Sequence, residues 1–274
     1  MSTQWIANDI IVNGIKLYYH RTGGHKPPLV LAHGVTDNGL CWTRLAQALE
    51  KDYDLIMYDA RGHGLSDKPG SYTLADHVAD LAGLVAGLGL DKPVVAGHSM
   101  GAANVAAAAT AHPGLARAII LEDPPWWSDA PVMAEHLAGL DNWRADMVTR
   151  KSKTREEIIA EGQQDSPTWA EVEWAAWAES KRQVDPNVLQ WAKTETPFMT
   201  WHDMVARLTC PALLVTADPE LGAIVPAKVA NEAARLNPRL KVVHIAGAGH
   251  NIRREQFETY VKAVTTFLQE VGKD

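Results

Sequence analysis

The sequence predicts an α/β protein, with a mostly parallel central sheet covered by helices on both faces and a helical segment inserted late in the chain. Three observations carry this. Short, continuously apolar runs, Pro28–Ala32, Leu55–Tyr58, Pro93–Ala96, Ala116–Leu121 and Ala212–Thr216, read as strands buried on both faces. Helical patterns separate them, and strands alternating with helices imply a parallel sheet. Between Trp126 and about Asp203 the alternation stops, and eight of the ten tryptophans lie in that stretch.

In chain order, Asp9–Val12 and Ile15–His20 read as a hairpin about Asn13-Gly14, with Ile15, Leu17 and Tyr19 alternating with Lys16, Tyr18 and His20. A helix is expected over Trp42–Glu50. Leu74, Val78, Leu81 and Val85 recur at steps of three and four and predict a helix over Tyr72–Leu88. Another follows the Pro93–Ala96 strand and runs to about His112. In the tryptophan-rich block, Ser166-Pro167 reads as a helix start, with Trp174 and Trp177 on one face beyond it. The alternation resumes with Ala212–Thr216, a helix near Ala227–Leu236, the strand Lys241–Ile245 and a last helix bearing Phe257, Val261, Val264, Leu268 and Val271. This predicts a core of residues 1–125 and 206–274 around an insertion of 126–205, after the sixth major strand.

A net charge of −7 without a long basic run argues against nucleic acid and anionic membranes as partners. No basic segment followed by an apolar core opens the chain, and no apolar run approaches the roughly 20 residues of a membrane span. Cys41 and Cys210 form no C-x-x-C pair, which fits free thiols in a reducing cytoplasm. The 11 histidines show neither H-x-H nor H-E-x-x-H spacing, so no metal is expected, nor any cofactor. Oligomeric state is not legible.

The chemistry centres on Gly97-His98-Ser99-Met100-Gly101, which follows an apolar strand and opens the alanine-rich stretch Ala102–Ala111. A strand, a G-x-S-x-G turn and a helix place the serine hydroxyl on a sharp corner beside free helix N–H groups. Ser99 is thus the expected nucleophile. Its base is expected to be His250, on the glycine loop Ala246-Gly247-Ala248-Gly249 that follows the last strand. Two backbone N–H groups for an oxyanion are expected from Met100 and from Val35, in His33-Gly34-Val35. The acid that orients His250 has several candidates. Asp218, in Ala217-Asp218-Pro219-Glu220 after the Ala212–Thr216 strand, is favoured. Glu220 competes with it, and Glu122 or Asp123 offers a second placement one strand earlier. His33 and His98 are expected to line the cavity, with Trp126 and Trp127 as pocket candidates at the entrance to the insertion.

These motifs, together with Asp59-Ala60-Arg61-Gly62-His63-Gly64-Leu65-Ser66-Asp67, fall in the order and spacing of the α/β-hydrolase superfamily. Nearly the whole chain outside the insertion resembles a capped serine hydrolase of that kind. The departure is at the seventh strand, where Ala217 stands for the usual glycine and the loop to Val225-Pro226 is long. Members that act as haloalkane dehalogenases or epoxide hydrolases carry aspartate where Ser99 stands. The resemblance therefore implies acyl transfer to water: a carboxylic ester hydrolase, esterase or lactonase, acting on a hydrophobic small molecule under a tryptophan-rich cap. A carbon–carbon bond hydrolase and a slow-turnover ligand sensor of the same fold are the rival expectations.

Overall fold

The computed structural model describes residues 5–127, 134, 138–192 and 199–272. Eight strands form one sheet in the order β1-β2-β4-β3-β5-β6-β7-β8. They are β1 (Ile6–Val12), β2 (Ile15–Arg21), β3 (Pro28–Ala32), β4 (Asp54–Tyr58), β5 (Val94–His98), β6 (Ala118–Glu122), β7 (Ala212–Thr216) and β8 (Leu240–His244). Strand β2 runs antiparallel to both neighbours, and the pairs from β4 through β8 are parallel. The β1–β2 turn is the expected two-residue one. Asn13 and Gly14 take φ of 48° and 75°, the left-handed pair such a tight hairpin requires.

The apolar runs serve both faces of the sheet. Val30, Ile56, Val95, Ile119 and Leu214 point into one core, closed by α2 (Leu74–Gly87), α3 (Met100–Ala111), α7 (Trp201–Arg207) and α8 (Ala227–Leu236). Leu29, Leu31, Leu55, Val94, Ile120 and Leu213 point the other way, onto α1 (Thr43–Leu49), the short α9 (Ile252–Glu255) and α10 (Phe257–Val271). This two-sided burial is why the strands lack polar alternation. No described helix is long and apolar enough to cross a membrane.

Between β6 and β7 the described chain forms α4 (Leu140–Lys151), α5 (Arg155–Asp165), α6 (Glu171–Gln183), a 3₁₀ turn over Pro186–Ala192 and then α7. Thr154 and Thr200 start α5 and α7 with reciprocal capping boxes to Glu157 and Asp203. The start expected at Ser166-Pro167 is not there. Ser166 instead ends α5, its N–H donating to Gly162 O at 2.8 Å, and α6 begins four residues after Pro167. Proline fits either place because it has no N–H to lose. Trp174 and Trp177 do share a face, with ring centroids 5.6 Å apart. The boundary expected between 205 and 206 falls inside α7, whose Met204 and Val205 pack in the larger core with Leu208.

Candidate active site

The G-x-S-x-G corner is shaped by close approach. A Cβ on Gly97 would lie 2.4 Å from Gly101 O, and one on Gly101 only 2.2 Å from Ala32 O. Neither position admits a side chain without moving backbone. Ser99 between them takes φ 53° and ψ −120°, a conformation that costs of order 1–3 kcal/mol and persists where the surroundings hold it. Its N–H donates to Glu122 O on the neighbouring strand at 2.9 Å. Gly101→Val is therefore expected to destabilise the fold by at least about 1–3 kcal/mol, seen as a lowered Tm or loss of soluble protein. An unchanged melting curve would contradict this packing.

Ser99 opens onto a cavity of about 500 Å³ whose wall includes Gly34, Val35, His98, Met100 and His250. Met100 is the first residue of α3, so its N–H lies outside the intrahelical ladder. Neither the Met100 nor the Val35 N–H has an acceptor among the described residues. Gly34 is needed here too, since a Cβ would come within 2.9 Å of His98 Nδ1 and 3.5 Å of Ser99 Cβ.

The carboxylate that meets His250 is Asp123, not Asp218. His250 Nδ1–H donates to Asp123 Oδ2 at 2.6 Å. Asp123 is fully buried, at φ 42°, in the corner that follows β6. Its carboxylate also accepts from Ile224 N and Val225 N at 2.9–3.1 Å. Both amides belong to the long loop after β7, so the loop that favoured Asp218 in sequence holds Asp123 in place instead. Asp218 turns away. It accepts from Gly247 N at 2.7 Å and His244 Nε2 at 2.9 Å, which fastens the turn leading to His250. Glu122 is buried and bonded to Arg253, and Glu220 is exposed.

Two pocket expectations also change. His33 is buried beneath the loop, accepting from Ala60 N at Nε2 and donating from Nδ1 to Gly34 O, and it is off the cavity wall. Trp126 is 1% exposed and stacks on Trp201 at 5.6 Å, while Trp127 does face the cavity. His98 lines the wall as expected. Its Nε2 donates to His250 O at 2.9 Å, and its ring packs against His250 with centroids 4.7 Å apart. Burial, with Arg253 and His250 nearby, holds His98 well below the usual imidazole range and hence neutral.

A second set of groups went unread in the sequence. Asp37 accepts from Lys181, Arg253 and Arg254 at 3.0–3.3 Å, and the two arginines also reach Glu122 and Glu173. All six side chains are at least nine-tenths buried, three positive and three negative. Burial alone would raise the Asp37 pKa, but Arg254, Lys181 and Arg253 more than offset it and hold the group ionised. Arg254 lies over the ring of Trp169, just before α6, which ties the cluster of Trp169, Trp174 and Trp177 to the turn after His250, while Lys181 lies over Trp177 of its own helix. The adjacent pair Arg253-Arg254, three residues past His250, was the available signal. Arg150 lines the cavity as well, and no carboxylate pairs with it among the described residues.

The chain matches the family described as alpha/beta hydrolase fold over residues 27–253, and it belongs to that family of hydrolases. It is 30% identical to N-formylmaleamate deformylase of Pseudomonas putida KT2440, over 98% of each chain. Among solved structures, E-2-(acetamidomethylene)succinate hydrolase superposes with a TM-score of 0.81 at 26% identity, covering 97% of this chain and all of that one. A malate-bound thermophilic esterase from Thermogutta terrifontis gives a TM-score of 0.74 at 26% identity, over 98% and 99% of the two chains.

Proposed function

We propose that the protein is a serine hydrolase that cleaves an amide or ester acyl bond in a small carboxylate-bearing molecule. The observation that carries this is the 2.6 Å His250–Asp123 bond on the cavity that Ser99 faces. With the Nδ1 proton directed to Asp123, Nε2 is left unprotonated and acts as the base. It takes the Ser99 Oγ proton as Oγ attacks the acyl carbon, and the Val35 and Met100 N–H groups hold the oxyanion. Collapse expels the amine or alcohol, which takes its proton from His250. A water, deprotonated in turn by His250, then releases the acid and restores Ser99.

The choice of bond and substrate rests on the relatives and on the wall. The deformylase and the succinate hydrolase have names that describe acylated nitrogen on acidic carbon chains, and the esterase holds malate. These extend the expectation from esters and lactones to amides. Trp143, Trp169 and Trp177 of the tryptophan-rich segment line the cavity and serve as its cap. Arg150 supplies a cation that no carboxylate of the described residues pairs with, suited to a substrate carboxylate.

A panel of N-formyl and N-acetyl amino-dicarboxylates, neutral p-nitrophenyl esters, a lactone and a dienone tests the reading. Turnover of the acidic amides or esters is expected, and absence of any acyl hydrolysis would overturn it. Arg150→Gln is expected to raise KM for the acidic substrate about 10–100-fold, the scale of a charge-assisted hydrogen bond, and to affect a neutral ester far less. An equal loss on both would remove Arg150 from recognition.

A further inference from the structure

The carbonyls of Gly34, Val35 and Thr36, the segment bearing the Val35 N–H, are all tied down. The Gly34 carbonyl accepts from Asp37 N at 3.0 Å and from His33 Nδ1 at 2.8 Å. The Val35 carbonyl lies 2.7 Å from His63 Nε2. These ties come from the core. The Thr36 carbonyl is held differently, by helix α6 of the inserted segment, through Lys181 Nζ at 2.7 Å and through Ser180 Oγ at 2.9 Å, whose one proton is shared with Trp177 O of its own helix at 2.7 Å. Lys181 spends its other N–H groups on Thr36 Oγ1 at 2.9 Å and Asp37 Oδ1 at 3.1 Å. One turn of α6 thus grips the loop immediately beyond Val35.

We infer that Lys181 is a positioning residue. It fixes the oxyanion-binding N–H of Val35 from the cap, so that the oxyanion hole is complete only while α6 is seated on the core. This rests on the reading of Ser99 and Val35 given under Proposed function. Lys181 touches the loop and not the reacting atoms, so its loss loosens one donor rather than deleting it. Asp37 keeps Arg253 and Arg254 as partners when Lys181 is replaced, but the cluster is then one positive charge short, so a neutral variant is expected to lose stability and its fold is checked beside its kinetics. A substrate that holds α6 down completes the hole as it binds, which links recognition under the roof to turnover at Ser99.

The test is Lys181→Met in the full chain, with p-nitrophenyl acetate as substrate and phenylboronic acid as the tetrahedral analogue. Removing an oxyanion donor outright costs about 10²–10³ in turnover, so kcat is expected to fall about 10–100-fold with KM changed less than about threefold. Phenylboronic acid should weaken by the same factor as kcat/KM, a readout that a merely structural role would leave alone. Lys181→Arg, which keeps a cationic donor, should recover part of the loss. A folded Lys181→Met enzyme with unchanged kcat and boronate affinity overturns the inference, as does a rise in KM alone. If Lys181→Met does not stay folded, Ser180→Ala carries the test. It is expected to lower kcat several-fold at constant KM, and unchanged kcat would count against the proposal. Activity surviving in Ser99→Ala would instead sink the underlying hydrolase reading, so the two failures are distinguishable.

Discussion

Asp123→Asn is expected to lower kcat by about 10⁴-fold, while Asp218→Asn stays within about tenfold of the parent. The two carboxylates follow the C-terminal ends of the neighbouring strands β6 and β7, yet their bonds differ in kind. Asp123 is fully buried, accepts the Nδ1 proton of His250 and is braced by two backbone amides. An amide in its place can still fill the space, but it presents a donor as readily as an acceptor to His250, and the tautomer with Nε2 free is no longer favoured. Asp218 holds Gly247 N and His244. Its replacement loosens the turn before His250 and shows mainly in Tm. Steady-state kinetics on the pair settles the assignment: a large loss in Asp218→Asn with little in Asp123→Asn would reverse it.

Ser99→Ala is expected to remove turnover to about the 10⁶-fold level seen when a nucleophile is deleted, with the fold intact. Ser99 makes its backbone bond through N–H to Glu122 O and offers its side chain to the cavity, so alanine keeps every backbone contact of the corner. The strained φ of 53° is imposed by packing at Gly97 and Gly101 and does not depend on the hydroxyl. Circular dichroism should match the parent, while substrate affinity measured by equilibrium binding is retained. Residual activity near that of the parent would place the nucleophile elsewhere.

Most of the fold was legible because its signals are local. Five continuous apolar runs, the Asn13-Gly14 turn and the periodicity of the α2 and α10 segments each follow from neighbouring residues, and the strands fall within a few residues of the expected spans. The capping boxes at Thr154 and Thr200 are equally local, whereas Ser166-Pro167 reads the same at the end of one helix as at the start of the next. Within the site, the G-x-S-x-G corner and the glycine loop before His250 carry their own backbone requirements in sequence. Trp126 and His33 carry none, and their burial beneath the wall depends on Trp201, Ala60 and Gly34.

Local sequence was enough for the strand–helix order, the placing of Ser99 on a strand-to-helix corner, and a histidine beyond the last strand. Those features are encoded in glycine spacing and hydrophobic period, which act over a few residues. Which carboxylate meets His250 emerges only on folding, since Asp123 and Asp218 both follow strands and differ in where the Ile224–Val225 amides converge. Folding also brings Asp37, Lys181, Arg253 and Arg254 into one buried cluster, although up to 217 positions separate bonded partners. Burial forces such charges to find one another in space, and nothing local in the chain records which partners they will find.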